Sequence, residues 1–143
     1  MEKIIYNLDE MRSFAKAFLA ELGGGKTSAT IVGLSGNLGA GKTAFVKELA
    51  KELGIKQHIT SPTFVIMKKY NTAHSTFHTL IHIDAYRLCS GEDLKTLGWD
   101  ELINNPQNLI LIEWPEQISE ALPKTMIKLL FGYVDENTRK VNF

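Results

Sequence analysis

The chain has 143 residues, and its 16 basic side chains balance its 16 acidic ones. A chain of this length typically folds as one domain with a sizeable core, so we expect a single domain over residues 1–143. The balanced charge excludes the basic excess that lets a protein bind nucleic acid on its own, so any contact with RNA should pass through a partner. Cys89 is the only cysteine, which excludes an internal disulfide and a multi-cysteine zinc site.

No apolar run approaches the ~18–20 residues of a membrane span. The opening stretch, MEKIIYNLDEM, has charges where a signal peptide would have its apolar core. A single cysteine also suits a reducing compartment. We therefore expect a cytoplasmic protein with no membrane contact.

The first predicted element is an amphipathic helix over residues 9–22. Its apolar side chains recur at helical spacing: Met11, Phe14, Ala15, Phe18, Leu19 and Leu22. Three glycines at 23–25 end this helix, because glycine adopts left-handed conformations without steric cost. The tripeptide GKT at 25–27 lacks a glycine five positions earlier, where Ala20 stands, so it is not a phosphate loop.

A second GKT, in GNLGAGKT at residues 36–43, does fit the phosphate-loop pattern G-x-x-x-x-G-K-[ST]. It follows the apolar run 29–34 and precedes a predicted helix at 43–54, so it opens at a helix amino terminus, which favours anions. Its glycines let backbone amides approach phosphates, Lys42 reaches the outer phosphate oxygens, and Thr43 is available for magnesium. The flanking elements favour a nucleoside triphosphate site over a plain glycine-rich connection. The expected binding residues are Gly36, Asn37, Leu38, Gly39, Ala40, Gly41, Lys42, Thr43 and Ala44.

Residues 60–64, TSPTF, precede a predicted strand at 65–70 that should pair with residues 76–83 across the loop 71–75. Taken alone, TSPTF is an ordinary loop. The alternative is a switch, in which Ser61 and Thr63 sense the terminal phosphate as order–disorder switches do in other phosphate-loop proteins.

Three histidines, His74, His78 and His82, recur every four residues. On a helix this spacing would form a metal-binding face, but the surrounding Thr, Ile and Phe residues favour a strand. Positions four apart on a strand lie about 13 Å from each other, too far to share a metal ion. We therefore expect strand-face residues. His82 shares a face with Asp84 and either orients it or has a structural role.

Two apolar runs end in an acid: residues 80–84 end in Asp84, and residues 109–113 end in Glu113. A phosphate-loop protein needs a carboxylate at the carboxyl end of a buried strand to hold magnesium directly or through water. Each acid alone could instead cap a helix or lie in a solvated loop. Spacing does not choose between the two carboxylates.

The carboxyl-terminal stretches 125–133 and 138–143 flank the polar turn 134–137, which predicts an antiparallel hairpin. Together the elements predict an α/β fold: a three-layer P-loop NTPase fold with a mostly parallel central sheet and antiparallel hairpins.

Four motifs occur in one order: GNLGAGKT, SPTF, HIDAYRL and IEWPE. In this the sequence resembles the TsaE family, also called YjeE, small bacterial P-loop ATPases of threonylcarbamoyladenosine tRNA modification. The similarity runs from the helix before the loop through Glu116 and includes EDLKTLGWDEL. Four motifs in order are more specific than any one of them.

The resemblance implies roles for individual residues. Lys42 and the loop glycines would bind ATP, Thr43 and Glu113 would bind Mg²⁺, and Asp84 would lie near the γ-phosphate to position water or metal. The catalytic set would be Lys42, Asp84 and Glu113. The family pattern also includes switch-like residues, here Ser61, Thr63, Tyr86, Arg87 and Trp114. One position departs, because the family usually has an acid where this chain has Asn37.

The resemblance also implies partners. The family works with a TsaB–TsaD pair that modifies ANN-reading tRNAs, and ATP hydrolysis by TsaE is thought to reset that assembly. The primary hypothesis is therefore a Mg-ATP hydrolase with TsaD and TsaB as partners and tRNA reached indirectly. Alternatives are a nucleotide-gated docking module without significant turnover, and a small-molecule kinase, which is disfavoured by the lack of an arginine-rich lid. A GTPase is weaker still, because no NKxD stretch is present.

Overall fold

The computed structural model of the chain describes residues 1–25, 27–60, 62 and 64–143. Two of the predicted switch residues, Ser61 and Thr63, lie outside the described residues, as does Lys26 of the first GKT.

The strands and helices follow one another as β1 (Glu2–Ile5), α1 (Leu8–Glu21), β2 (Thr30–Ser35), α2 (Lys42–Glu52), β3 (Met67–Asn71), β4 (Thr79–Asp84), α3 (Glu92–Lys95), α4 (Trp99–Ile103), β5 (Asn108–Glu113), a 3₁₀ segment (Pro115–Ala121), β6 (Ile127–Tyr133) and β7 (Arg139–Asn142). The strands form one sheet in the order β1-β7-β6-β2-β5-β4-β3. The central strands β6, β2, β5 and β4 run parallel. The outer pairings, of β3 with β4, β7 with β6 and β1 with β7, are antiparallel.

Two apolar cores cover the two faces of this sheet. Alternate residues of β5 point into them: Leu109 and Leu111 belong to the core beneath α1 and α2, whereas Ile110 and Ile112 belong to the core beneath α3 and α4. Every residue of β5 is buried, as expected of a parallel strand covered on both faces. The predicted three-layer α/β fold, with a parallel centre and antiparallel hairpins, is confirmed.

Helix α1 packs on α2 and so forms one wall beside the phosphate loop. Its N-cap residue Asn7 accepts a hydrogen bond from the Glu10 amide at 2.9 Å. The rings of Phe14 and Phe45 lie 5.7 Å apart, and Arg12 on α1 pairs with the buried Glu48 on α2 at 3.5 Å. Aromatic packing and an ion pair therefore hold the two helices together.

Most predicted elements are confirmed to within about two residues, but the strand predicted at 65–70 begins only at Met67. Phe64 and Val65 belong to a turn, because the amides of Val65 and Ile66 both donate to the Pro62 carbonyl, at 3.1 and 2.6 Å. Ile66 has a φ of 70°, which a β-branched residue rarely adopts. The apolar-polar run at 65–70 was therefore a misleading signal for the start of the strand.

The strand-face prediction holds for His82 and is wrong for His74 and His78. His82 lies within β4, whereas the other two belong to the connection between β3 and β4. His74 Nδ1 accepts hydrogen bonds from the amides of Thr76 and Phe77, at 3.1 and 3.3 Å. Strand β1 was not predicted, and it forms by pairing with β7 at the other end of the chain.

Candidate functional site

The phosphate loop connects β2 to α2 at the carboxyl edge of the parallel strands. Gly36, Gly39 and Gly41 have φ values of 136°, 79° and 108°, conformations that other residues rarely adopt. A Cβ atom on Gly36 would lie 2.4 Å from the Phe131 carbonyl oxygen, whereas one on Gly39 would meet nothing within 4 Å. The glycines are thus needed for backbone conformation, and Gly39 borders open space.

The exposed part of the loop consists of Asn37, Leu38 and Gly39, while Ala40 is buried. The Asn37 carbonyl accepts from the Ala40 amide at 3.1 Å, which closes the turn. Gly41 is the N-cap residue of α2 and has no side chain to occupy the first amides of the helix. Those amides are therefore available to an anion, which the helix dipole also favours.

Lys42, the first residue of α2, is 5% exposed. Its Nζ atom lies 4.1 Å from the centre of the Trp114 ring, a cation–π contact. Burial lowers the pKa of Lys42, and the nearby carboxylates of Glu113, Asp84 and Glu116 oppose that shift. The site therefore holds a desolvated ammonium group among acidic side chains.

The two carboxylates end neighbouring parallel strands. Asp84 on β4 and Glu113 on β5 are register partners, and each is 5% exposed. Asp84 Oδ1 accepts a hydrogen bond from the Tyr86 amide at 3.0 Å. Glu113 Oε2 lies 2.6 Å from His82 Nε2. Sequence reasoning linked His82 to Asp84, but the observed hydrogen bond reaches Glu113 on the neighbouring strand.

A cavity of about 280 Å³ brings most predicted site residues together. It is lined by Leu38, Gly39, Gly41, Lys42, Thr43, Ala44, Asp84, Glu113, Trp114 and Arg139. Among the described residues, no cluster of three or more His, Cys, Asp or Glu side chains could hold a metal ion. Two carboxylates and the exposed Thr43 hydroxyl suit Mg²⁺, which commonly takes its other ligands from substrate phosphates and water.

The predicted switch-like residues with described positions divide into two groups. Trp114 has a left-handed backbone conformation, with φ of 58°, and its ring centre lies 5.2 Å from that of the exposed Tyr86. The guanidinium group of Arg87 lies 4.6 Å from the ring centre of Phe64, which is 81% exposed. Trp114 lines the cavity, whereas Arg87 joins residue 64 to the segment that follows Asp84.

A second cavity, of about 740 Å³, adjoins the first. It is lined by Ile5, Tyr6, Asn7, Leu8, Asp9, Met11, Gly41, Ala44, Glu136, Asn137 and Arg139, and it shares Gly41, Ala44 and Arg139 with the first. Sequence reasoning missed this cavity and Arg139. No local pattern marks them, because the cavity walls come from both ends of the chain.

Arg139 is held in place by the hairpin of β6 and β7. Its Nη1 atom donates to the carbonyls of Asp135 and Thr138, at 2.5 and 3.0 Å, and its guanidinium lies 4.8 Å from the centre of the Tyr133 ring. The side chain therefore presents a fixed positive charge beside the phosphate loop.

No helix in the described part of the chain is long and apolar enough to cross a membrane.

Comparisons with known proteins show which family the chain resembles. The family model described as threonylcarbamoyl adenosine biosynthesis protein TsaE matches residues 5–141. A Rickettsia bellii protein named tRNA threonylcarbamoyladenosine biosynthesis protein TsaE is 39% identical over 99% of this chain and 92% of its own length. A Bacillus subtilis protein of the same name is 36% identical over 79% of this chain and 68% of its own length.

Among solved structures, the crystal structure of Bacillus subtilis YdiB superposes with a TM-score of 0.75 at 29% identity, covering 99% of this chain and 82% of that one. The phosphate loop, the two strand-end carboxylates and these similarities lead to one conclusion: the chain belongs to the TsaE family of threonylcarbamoyl adenosine biosynthesis proteins.

Proposed function

We propose that residues 1–143 form one P-loop ATPase domain of the cytoplasm. The domain hydrolyses Mg-ATP and acts with TsaD and TsaB in threonylcarbamoyladenosine modification of ANN-reading tRNAs. One observation carries the proposal: Lys42, Asp84 and Glu113 converge on a single cavity at the end of the phosphate loop.

Phosphate binding falls to residues 36–44. The amides at the start of α2 and the Lys42 ammonium supply donors and positive charge at one end of the cavity. Because Lys42 is only 5% exposed, water screens its attraction to a phosphate weakly. The 740 Å³ cavity that adjoins Gly41 has room for the base and ribose. The choice of adenine rests on the family resemblance.

Metal binding falls to Thr43 and Glu113, with Asp84 nearby. Thr43 and Glu113 would hold Mg²⁺, which would supply positive charge against the negative charge that develops during transfer. Thr43 brings a hydroxyl from the first turn of α2, and Glu113 brings a carboxylate from the end of β5. Asp84 is anchored through the Tyr86 amide, and its carboxylate is the group that would orient the attacking water.

Partner contact falls to the exposed apolar side chains beside the cavity. Phe64, Val65 and Tyr86 are 81%, 58% and 56% exposed. Exposed aromatic residues are typical of binding anchors. A neutral ATPase can act on a tRNA enzyme while its partner holds the nucleic acid.

A second candidate is a nucleotide-gated docking module without significant turnover. The contact between Arg87 and Phe64 favours it, because it joins Phe64 to the segment that follows Asp84. The Asp84 amide also donates to the Ile66 carbonyl at 2.8 Å. A nucleotide at Asp84 would then act on the docking surface directly, with no chemical step required.

The test is ATP hydrolysis by the purified protein, with and without TsaB–TsaD and tRNA. Lys42→Ala should abolish phosphate release, whereas Lys47→Ala, an exposed lysine on the same helix, should not. Undiminished hydrolysis by Lys42→Ala would contradict the proposal. No turnover by the unaltered protein under any condition, with ATP still bound, would support the docking module instead.

A further inference from the structure

We propose that His82 is a positioning residue for Glu113: its Nε2–H group holds one carboxylate oxygen so that the other faces the metal position in a fixed direction. The inference rests on the proposed role of Glu113 in metal binding.

The sheet brings the two side chains together across strands. In the parallel pairing of β4 and β5, His82 is the register partner of Leu111, and Asp84 that of Glu113. Glu113 comes two residues after Leu111, the partner of His82. Because side chains alternate between faces, His82 and Glu113 lie on the same face of the sheet. This face carries α2 and the phosphate loop.

The hydrogen bond is short and dry. His82 Nε2 and Glu113 Oε2 lie 2.6 Å apart, and the side chains are 1% and 6% exposed. Little water reaches either group, so none can readily replace the bond if it is lost. Glu113 lines the 280 Å³ cavity, whereas His82 is not among its lining residues. His82 thus stands behind Glu113 and acts on the cavity only through it.

The other ring nitrogen identifies which group donates. His82 Nδ1 is buried, and no described residue forms a hydrogen bond with it. A hydrogen on Nδ1 would leave a buried donor unpaired, which is costly. A hydrogen on Nε2 instead leaves only a lone pair unpaired at Nδ1, and Nε2 then donates to the carboxylate. His82 therefore acts as a one-directional donor toward Glu113.

Such outer partners matter because a ligand carboxylate must keep its orientation to bind a metal tightly. Removing a group that orients a metal ligand typically lowers metal affinity by roughly 10–100-fold. A purely structural histidine would instead affect folding and nucleotide binding without regard to metal. The two roles therefore separate when metal affinity and metal-free nucleotide affinity are measured on the same variants.

The experiment compares His82→Leu, His82→Gln and His82→Asn with the unaltered protein. In Gln the amide nitrogen can occupy the place of Nε2, whereas Asn is too short to reach Glu113. Three quantities are measured: Mn²⁺ affinity of the ADP-bound protein, ADP affinity in a metal chelator, and the thermal midpoint. We expect His82→Leu and His82→Asn to weaken Mn²⁺ binding by about tenfold or more. His82→Gln should restore most of it, and metal-free ADP affinity should stay within about twofold in all three.

Equal Mn²⁺ affinity in His82→Gln and His82→Asn would overturn the inference, and this pair decides even if His82→Leu does not fold. A parallel loss of metal-free and metal-dependent binding would also overturn it, in favour of a structural role. Failure of the proposed ATPase is recognised separately. In that case the unaltered protein releases no phosphate, while the Gln and Asn variants still differ in Mn²⁺ affinity.

Discussion

The ends of β4 and β5 place similar carboxylates side by side but support them differently. The Asp84 carboxylate accepts a hydrogen bond from the backbone amide of Tyr86, and the side chains of Tyr86 and Arg87 are exposed. Glu113 is held by the buried His82 ring and continues into Trp114, which covers Lys42. Asp84 is thus supported by a segment that reaches the surface, whereas Glu113 is supported by a side chain of the core. Substitutions or binding events at the surface should therefore affect the position of Asp84 more than that of Glu113.

The largest effect should follow from Glu113→Gln, which keeps an acceptor for His82 and removes the charge. We expect ATP turnover to fall by more than the roughly 10–100-fold that loss of an outer partner costs, because the proposed metal ligand itself is altered. Phosphate release and Mn²⁺ affinity of the variant should fall together. Glu101→Gln, on the exposed face of α4, serves as the control. Unchanged Mn²⁺ affinity would remove Glu113 from the metal site.

Asp84→Asn should distinguish the role of Asp84 from that of Glu113. We expect turnover to fall by roughly 10²-fold or more, the typical contribution of a group that handles the attacking nucleophile, while Mg-ADP affinity falls much less. Steady-state kinetics and equilibrium binding on one preparation measure both. If binding and turnover fall equally, Asp84 is a metal ligand as much as Glu113, and the contrast between the strand ends disappears.

Phe64→Ala tests the surface side of the comparison. Because Phe64 is 81% exposed, we expect little loss of stability and unchanged turnover of the isolated protein. Affinity for TsaB–TsaD should fall about tenfold, the usual cost of losing an aromatic anchor. Val134→Ala, at an exposed apolar position on the far hairpin, is the matched control. A fall in ATP turnover by the isolated variant would mean that Phe64 affects the 280 Å³ cavity itself.

The smallest effect concerns stability. Because burial lowers the pKa of Lys42 below its unfolded value, its charge opposes folding at pH values below the folded pKa. Lys42→Met should therefore be more stable than the unaltered nucleotide-free protein near pH 7. This advantage should shrink as pH rises through the folded pKa toward 10.5, the ordinary lysine pKa, above which the side chain is mostly neutral in both states. Urea unfolding between pH 7 and 10.5 measures it, and an advantage that grows with pH would contradict the assignment.

Sequence reasoning located the glycine-rich loop and the two strand-end acids, because their patterns are local. The spacing of Gly36, Gly41 and Lys42 marks a phosphate loop wherever it occurs, because only glycine tolerates the required φ values. The acids at the ends of two apolar runs were likewise recognisable. The turn at Ile66 was not, because nothing in the run of residues 65–70 shows that two amides will donate to the same carbonyl of Pro62.

The second cavity shows where local reasoning stopped. Its walls include Asn7 and Arg139, which meet only because β1 pairs with β7 across nearly the whole chain. Such pairing depends on long-range register, and no window of the sequence contains both partners.

The sequence by itself therefore determined the loop, its flanking strand and helix, and the identity of the two carboxylates, because these depend on φ preferences and local periodicity. Only the tertiary structure decided that Asp84 and Glu113 would be register partners beside Lys42, and that His82 would bond Glu113. The physical reason is that strand order and register are chosen by the packing of the whole sheet. A hydrogen bond between neighbouring strands exists only after that choice is made.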